Sequence, residues 1–284
     1  MYRISPFTPL FFNPSRDTSG WAGRFTQTFS PEDRILIQAI TDEPDAVGMF
    51  LGAPGVAQPT ALRPLSWRLN KSSAVVFSTL SRLSPGTYAV TVGTPSGGYC
   101  ESLPFLVTDD PALLGGTTLI RYTGTDNRRR ADAVFLIDRM RYVFEYRAQG
   151  GFKDDGWGFG VDNEQFTTAG MDVLDVHSHE TETRVFTLGS GYGVPVWHAA
   201  LLNRILSCPL TWFDGVRYTR QESSVPELNQ TVEGQRSFIF KQTLQRVVWE
   251  QPSPPEAWLQ LRAVSQPQGT LRSANAKPRL LWQN

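Results

Sequence analysis

His177-Ser178-His179 is the densest cluster of metal-ligand chemistry in the chain. Alternate residues of a strand point to one face, so imidazoles two positions apart can reach a common cation. Asp172 or Asp175 would add a carboxylate. No third histidine has recognisable ligand spacing, because His198 falls in a stretch with helical periodicity. A bare His-x-His in a polar segment is more commonly a surface strand or loop. His177 and His179 are therefore candidate ligands only, and the expectation is neither metal nor cofactor.

Other chemistries fare no better. Asp154-Asp155-Gly156 through Asp162-Asn163-Glu164 has the composition of a calcium loop without its spacing, and reads as an acidic loop. Gly189-Ser190-Gly191 lacks the strand-elbow-helix setting of a nucleophilic serine. Neither a phosphate-binding Gly-rich loop nor a dinucleotide fingerprint precedes a helix; Gly156, Gly158 and Gly160 alternate with Trp157 and Phe159 and read as a tight apolar turn. Carboxylates are plentiful, yet none stand out as a glycosidase pair. Cys100 and Cys208 lack metal or redox spacing and form no disulfide framework. With no catalytic constellation, the chain is expected not to be an enzyme. Surface tryptophans can stack on sugars, but the eight here are scattered and suit cores or subunit contacts better.

The elements that must position these residues are strands. Short alternating runs at 24–29, 34–40, 47–52, 65–70, 73–79, 87–92 and about 98–107 are set off by turn residues, such as Leu83-Ser84-Pro85-Gly86. That series predicts an immunoglobulin-like β-sandwich over 22–110. A second β-rich domain, sandwich or barrel, is expected over 111–250, with strands at 117–122, 133–138, 140–147, 183–188 and 236–249. Asp214-Gly215 marks a tight hairpin. One helix is expected at about 194–208, where Pro195 starts a run in which Trp197, Leu201, Ile205 and Cys208 recur at helical spacing. Residues 1–21 read as an extended N-terminal arm whose aromatics dock on this or another subunit, and 251–284 as a C-terminal extension.

The chain has 284 residues, with 27 Lys+Arg against 27 Asp+Glu, hence no net charge. That balance argues against bulk nucleic-acid binding, which needs a basic face. Hydrophobic residues make up 40%, enough for real cores. No stretch approaches the ~20 apolar residues of a membrane span, and no signal peptide is read at the start. Charge is segregated: Lys153 to Glu182 holds eight acids against one base, while 236–284 holds seven bases against two acids. Opposite patches on one subunit suit head-to-tail contacts between copies, or pair within it.

An ordered set of motifs carries a resemblance over about 118–248. It includes Leu119-Ile120-Arg121-Tyr122, Phe144-Glu145-Tyr146-Arg147 with Gly150-Gly151-Phe152-Lys153, and Phe186-Thr187-Leu188-Gly189. It continues with Gly193-Val194-Pro195-Val196-Trp197, Leu202-Asn203-Arg204-Ile205-Leu206-Ser207-Cys208, Asp214-Gly215-Val216-Arg217-Tyr218-Thr219-Arg220 and Ser224-Val225-Pro226-Glu227. In this order they resemble structural proteins of phages and prophages of Bacteroides-type bacteria. The resemblance implies a tail or baseplate component of the distal-tail-adaptor kind, in which a tube-forming β domain bearing one helix is coupled to a second β module. Its expected partners are copies of itself and other tail or baseplate proteins, with no nucleic acid or membrane. It would be assembled in the host cytoplasm and then carried on the particle tail. No catalytic residue transfers. The terminal segments 1–21 and 251–284 are expected to reach a neighbouring subunit. The competing class is a carbohydrate- or cell-surface-binding β-sandwich protein.

Overall fold

The computed structural model describes residues 1–12, 25–53, 58–128, 131–153, 156–171, 173–189, 193–222, 227–230 and 238–247. At 163–166, 173–179 and 228–230 only the backbone is described. The molecule is mainly β, as expected, in two modules.

The first module uses ten strands: β1 (Tyr2–Ile4), β2 (Gln27–Phe29), β3 (Ile35–Thr41), β4 (Gly48–Gly52), β5 (Thr60–Ala61), β6 (Leu65–Arg68), β7 (Ala74–Leu80), β8 (Gly86–Thr94), β9 (Gly98–Glu101) and β10 (Phe105–Val107). One sheet runs β1-β3-β7-β6; the other runs β2-β10-β8-β4-β5, with β9 added on β8. The leading strands are split between the sheets, and β2 pairs parallel with β10. Tyr88 donates its hydroxyl to the Ser84 carbonyl at 2.9 Å, pinning the corner before β8. Alternation explains the layering. Ile35, Ile37 and Ala39 of β3 and Val76 and Leu80 of β7 fill the sandwich with Phe29, Val90 and Phe105.

The opposite face of that sheet is buried too. Leu36, Val75 and Phe77 belong to one continuous core with Tyr122, Phe144 and Tyr146 of the second module. Around it, Arg147 grips Asp33 through two nitrogens, each at 2.6 Å. Glu145 accepts from the Arg34 backbone N–H at 2.7 Å and pairs with the Arg34 guanidinium, with Arg121 Nε 3.4 Å away. These contacts join the turn before β3 to the second module.

Residues 1–12 dock on their own chain, one of the two outcomes expected for the N-terminal arm. β1 is an edge strand paired with β3, Tyr2 opposite Thr41. Phe7 is fully buried, its ring packed against Phe135 and Phe144 and its carbonyl accepting the Tyr122 hydroxyl. The segment then bridges Phe12 to Ser102. Apolar side chains this close to a forming core dock on their own chain first. The rest of the expected arm, 13–21, and the C-terminal extension 251–284 lie outside the described residues.

The second module opens with a one-turn helix, α1 (Pro111–Leu114), whose Asp110 cap accepts from the Ala112 N–H at 2.8 Å. It continues with β11 (Thr117–Thr123), the short hairpin β12 (Leu136–Ile137) and β13 (Met140–Arg141), β14 (Phe144–Phe152), β15 (Gly158–Thr167) and β16 (Val173–Leu188). Helix α2 (Val196–Ile205) follows, then β17 (Leu210–Phe213), β18 (Val216–Arg220), β19 (Glu227–Gln230) and β20 (Phe238–Arg246). Neighbouring strands run β16-β14-β11-β17-β18-β20, and β20 pairs back to β16, so six antiparallel strands close into a barrel. Closure removes the sheet edges. Gly150 permits it: a Cβ there would fall on the Thr187 carbonyl oxygen. The predicted hairpin is present, with Asp214 and Gly215 at φ 46° and 86°, the signature of a type I′ turn. Helix α2 lies within the expected 194–208 and buries Ala199, Leu201, Leu202 and Ile205 in the shared core.

Candidate functional site

The longest strand outgrows the barrel. Thr183 to Leu188 of β16 pair with β20, and its last three residues with β14, whereas Val173 to Thr183 pair with β15. Beyond the barrel the β15–β16 hairpin is therefore a two-stranded arm. At ~3.3 Å per residue its ten-residue β15 reaches about 30 Å. The expected apolar turn around Gly158 and Gly160, and the 158–164 part of the acidic loop expected over 154–164, belong to this strand. Asp154 and Asp155 lie outside the described residues. The glycines have a steric reason: Cβ atoms at 158 and 160 would press on the hydroxyl oxygens of Thr183 and Thr181 at 2.8 and 2.9 Å.

The predicted ligand pair lies on this arm. His177 stands opposite Glu164 and His179 opposite Asp162, so both histidines occupy one face of β16. Asp175 is opposite Gln165, past a register shift, and Asp172 lies outside the described residues. Among the described residues no group of three or more His, Cys, Asp or Glu is gathered for a metal.

The opposite face of the arm is apolar and acidic together. Phe159 pairs across to Glu182 and Val161 to Glu180. Phe159 is 77% exposed, Val161 65%, Met171 near the tip 85% and Trp157 at the root 46%. Arg184 lies over the Trp157 ring, 4.4 Å from its centroid, and Arg246 donates to Glu182 at 2.9 Å, so the root is pinned while Phe159, Val161 and Met171 stand in solvent. Phe-Gly-Val alternation is the sequence signal for this strand. The alternating glycines give it the look of a turn.

The third histidine does different work. His198 on α2 is buried, stacked under Trp197 with ring centroids 3.6 Å apart and edge-on to Phe25. Its Nδ1 meets the Tyr146 hydroxyl. Burial drives the Tyr146 phenol far above its ordinary range and the His198 imidazole well below its own. Both stay neutral, so a single neutral hydrogen bond joins them, its donor set by the His198 tautomer, and Nε2 has no hydrogen-bond partner among the described residues. This pair fixes α2 to β14.

A cleft of about 250 Å³ lies between residues 4–12 and α2, walled by Phe11, Phe12, Trp197 and Leu201 with Arg204 its charged lining residue. Ser5 and Thr8 supply its hydroxyl groups, and no His, Cys, Asp or Glu is among its described lining residues. Cys208 is buried just past α2, and Ser190 lies outside the described residues. No described helix is long and apolar enough to cross a membrane. No protein-family model matches the chain, and a search of curated proteins finds no match.

Proposed function

We propose that the protein is a non-enzymatic structural subunit of a phage or prophage tail or baseplate, working by packing against copies of itself and against other tail proteins. The arm is the observation that supports this reading. The arm leaves the closed barrel with Phe159, Val161 and Met171 in solvent, so these side chains add nothing to their own subunit's core. Covering apolar area yields about 25 cal/mol per Å², so a partner that buries these side chains gains what the isolated subunit forgoes. The shared core and the Asp33–Arg147 and Arg34–Glu145 pairs hold both modules as one unit, as a load-transmitting subunit requires. The sequence resemblance to tail proteins supplies the biological setting.

The test is the mass of the full chain in solution, by sedimentation from nanomolar to tens of micromolar, with negative-stain imaging. Defined oligomers or rings are expected. A monomer at every concentration overturns the proposal, and a monomer that binds glycans replaces it with the carbohydrate-binding class.

A further inference from the structure

We infer that the arm of one copy docks along the free edge of β6 in the next copy, extending the β1-β3-β7-β6 sheet of the first module by a strand. The inference rests on the assembly reading above and names the two surfaces that meet.

Both surfaces are open strand edges. β15 ends its sheet and has no partner on its outer side among the described residues; β6 likewise ends β1-β3-β7-β6. β15 and β6 do not pair within one chain, so their joining must be between copies. An unpaired edge presents backbone N–H and C=O groups that an added strand satisfies. Natural edges of this length are usually shortened, bulged away or covered, whereas β15 keeps ten residues with two large apolar side chains in solvent.

Charge selects the partner. Residues 158–183 hold six acids and no Lys or Arg. Residues 46–100, which include β6, hold four bases and no acid. Arg68 and Lys71 at the end of β6 are exposed, with Leu65 and Leu69 beside them 39% and 38% exposed. Each surface thus offers apolar side chains interleaved with one sign of charge, and the signs are opposite. Arm-on-arm pairing would bring two acidic strands together, which like-charge repulsion opposes. A contact between different patches of identical copies is head-to-tail, closing into a ring or running on as a filament.

Charge reversal tests the docking. Asp162→Lys with Glu180→Lys on the arm, and Arg68→Glu with Lys71→Glu on the edge, should each raise the concentration for half-assembly at least about tenfold. Mixed one to one, the two variants should assemble at lower concentration than either alone, because the introduced lysines of one then face the introduced glutamates of the other. Melting curves check that each variant is folded. Hydrogen exchange on the wild-type assembly should show the β6 and β15 amides slowed. An edge variant that assembles normally, a mixture that does not recover, or β6 amides that exchange unchanged in the assembly would overturn the docking alone. A wild-type chain that never assembles would overturn the assembly reading itself.

Discussion

Gln38 of β3 closes a two-point hydrogen bond on the backbone of Val134: its Nε2 donates to the Val134 carbonyl at 2.7 Å, and its Oε1 accepts from the Val134 N–H at 3.1 Å. Gln38 is fully buried, so the amide acts as a piece of strand ladder supplied from the other module. Replacement by leucine would preserve volume while leaving two buried backbone groups without partners. Unmade buried bonds cost about 1–3 kcal/mol each, so Gln38→Leu should lower unfolding free energy by about 3 kcal/mol in urea titrations. A loss below about 0.5 kcal/mol would mean the groups find other partners.

Phe7 turns the N-terminal segment into a core element. Its ring is packed among Tyr122, Phe135 and Phe144, at centroid distances of 5.5 to 6.5 Å. Phe7→Ala should cost about 3–5 kcal/mol, the usual range for emptying a phenylalanine site. An arm that merely reached a neighbour would lose assembly on this substitution without losing stability. Here the dilute monomer itself should melt earlier.

The parts of the fold that could be read ahead are those with one buried face. Ile35, Ile37 and Ala39 alternate because the sandwich lies on one side, and Asp214-Gly215 announces its turn because both residues need positive φ. β1 was hidden because three residues in a proline-rich stretch have no period of their own; they acquire strand geometry from β3. The outer arm was hidden for the opposite reason: among the described residues 173–182 pair with β15 and not with the barrel, so no barrel partner imposes a rhythm on them. Gln38 sat in an apolar run as an anomaly that only the facing module explains. The Tyr146–His198 pair joins residues 52 apart, and closure through β16–β20 is equally non-local. Of the candidate ligands, the sharing of one strand face by His177 and His179 was legible, but their place on a projecting arm was not.

Burial of neutral His198 makes stability depend on pH, with a definite sign. Its folded pKa is depressed, while the unfolded chain titrates near the ordinary value of about 6.5. The unfolded state therefore binds the proton more readily, and the stabilisation present above pH 6.5 is lost as pH falls below it. Unfolding free energy should drop by up to about 1.4 kcal/mol per pH unit below 6.5, measured between pH 7.5 and 5.5 to stay above most carboxylate titration. His198→Phe, whatever its own stability, should lose most of that slope. An identical slope in both proteins would show that other groups set it.

Separability of the arm gives the last prediction. Gly160 and Thr181 are directly opposed, so replacing 161–180 by Asn-Gly joins them through a two-residue primed turn without disturbing register. The barrel keeps every pair it needs, since Thr183 to Leu188 of β16 still bond β20 and Gly150 to Phe152 of β14. The shortened chain should melt within a few degrees of the parent: among the described side chains that go, the large apolar ones, Val161 and Met171, are exposed. It should also sediment as a monomer at concentrations where the full chain assembles. A large fall in melting temperature would make the arm part of the fold's stability, and undiminished assembly would move the subunit contact elsewhere on the barrel or sandwich.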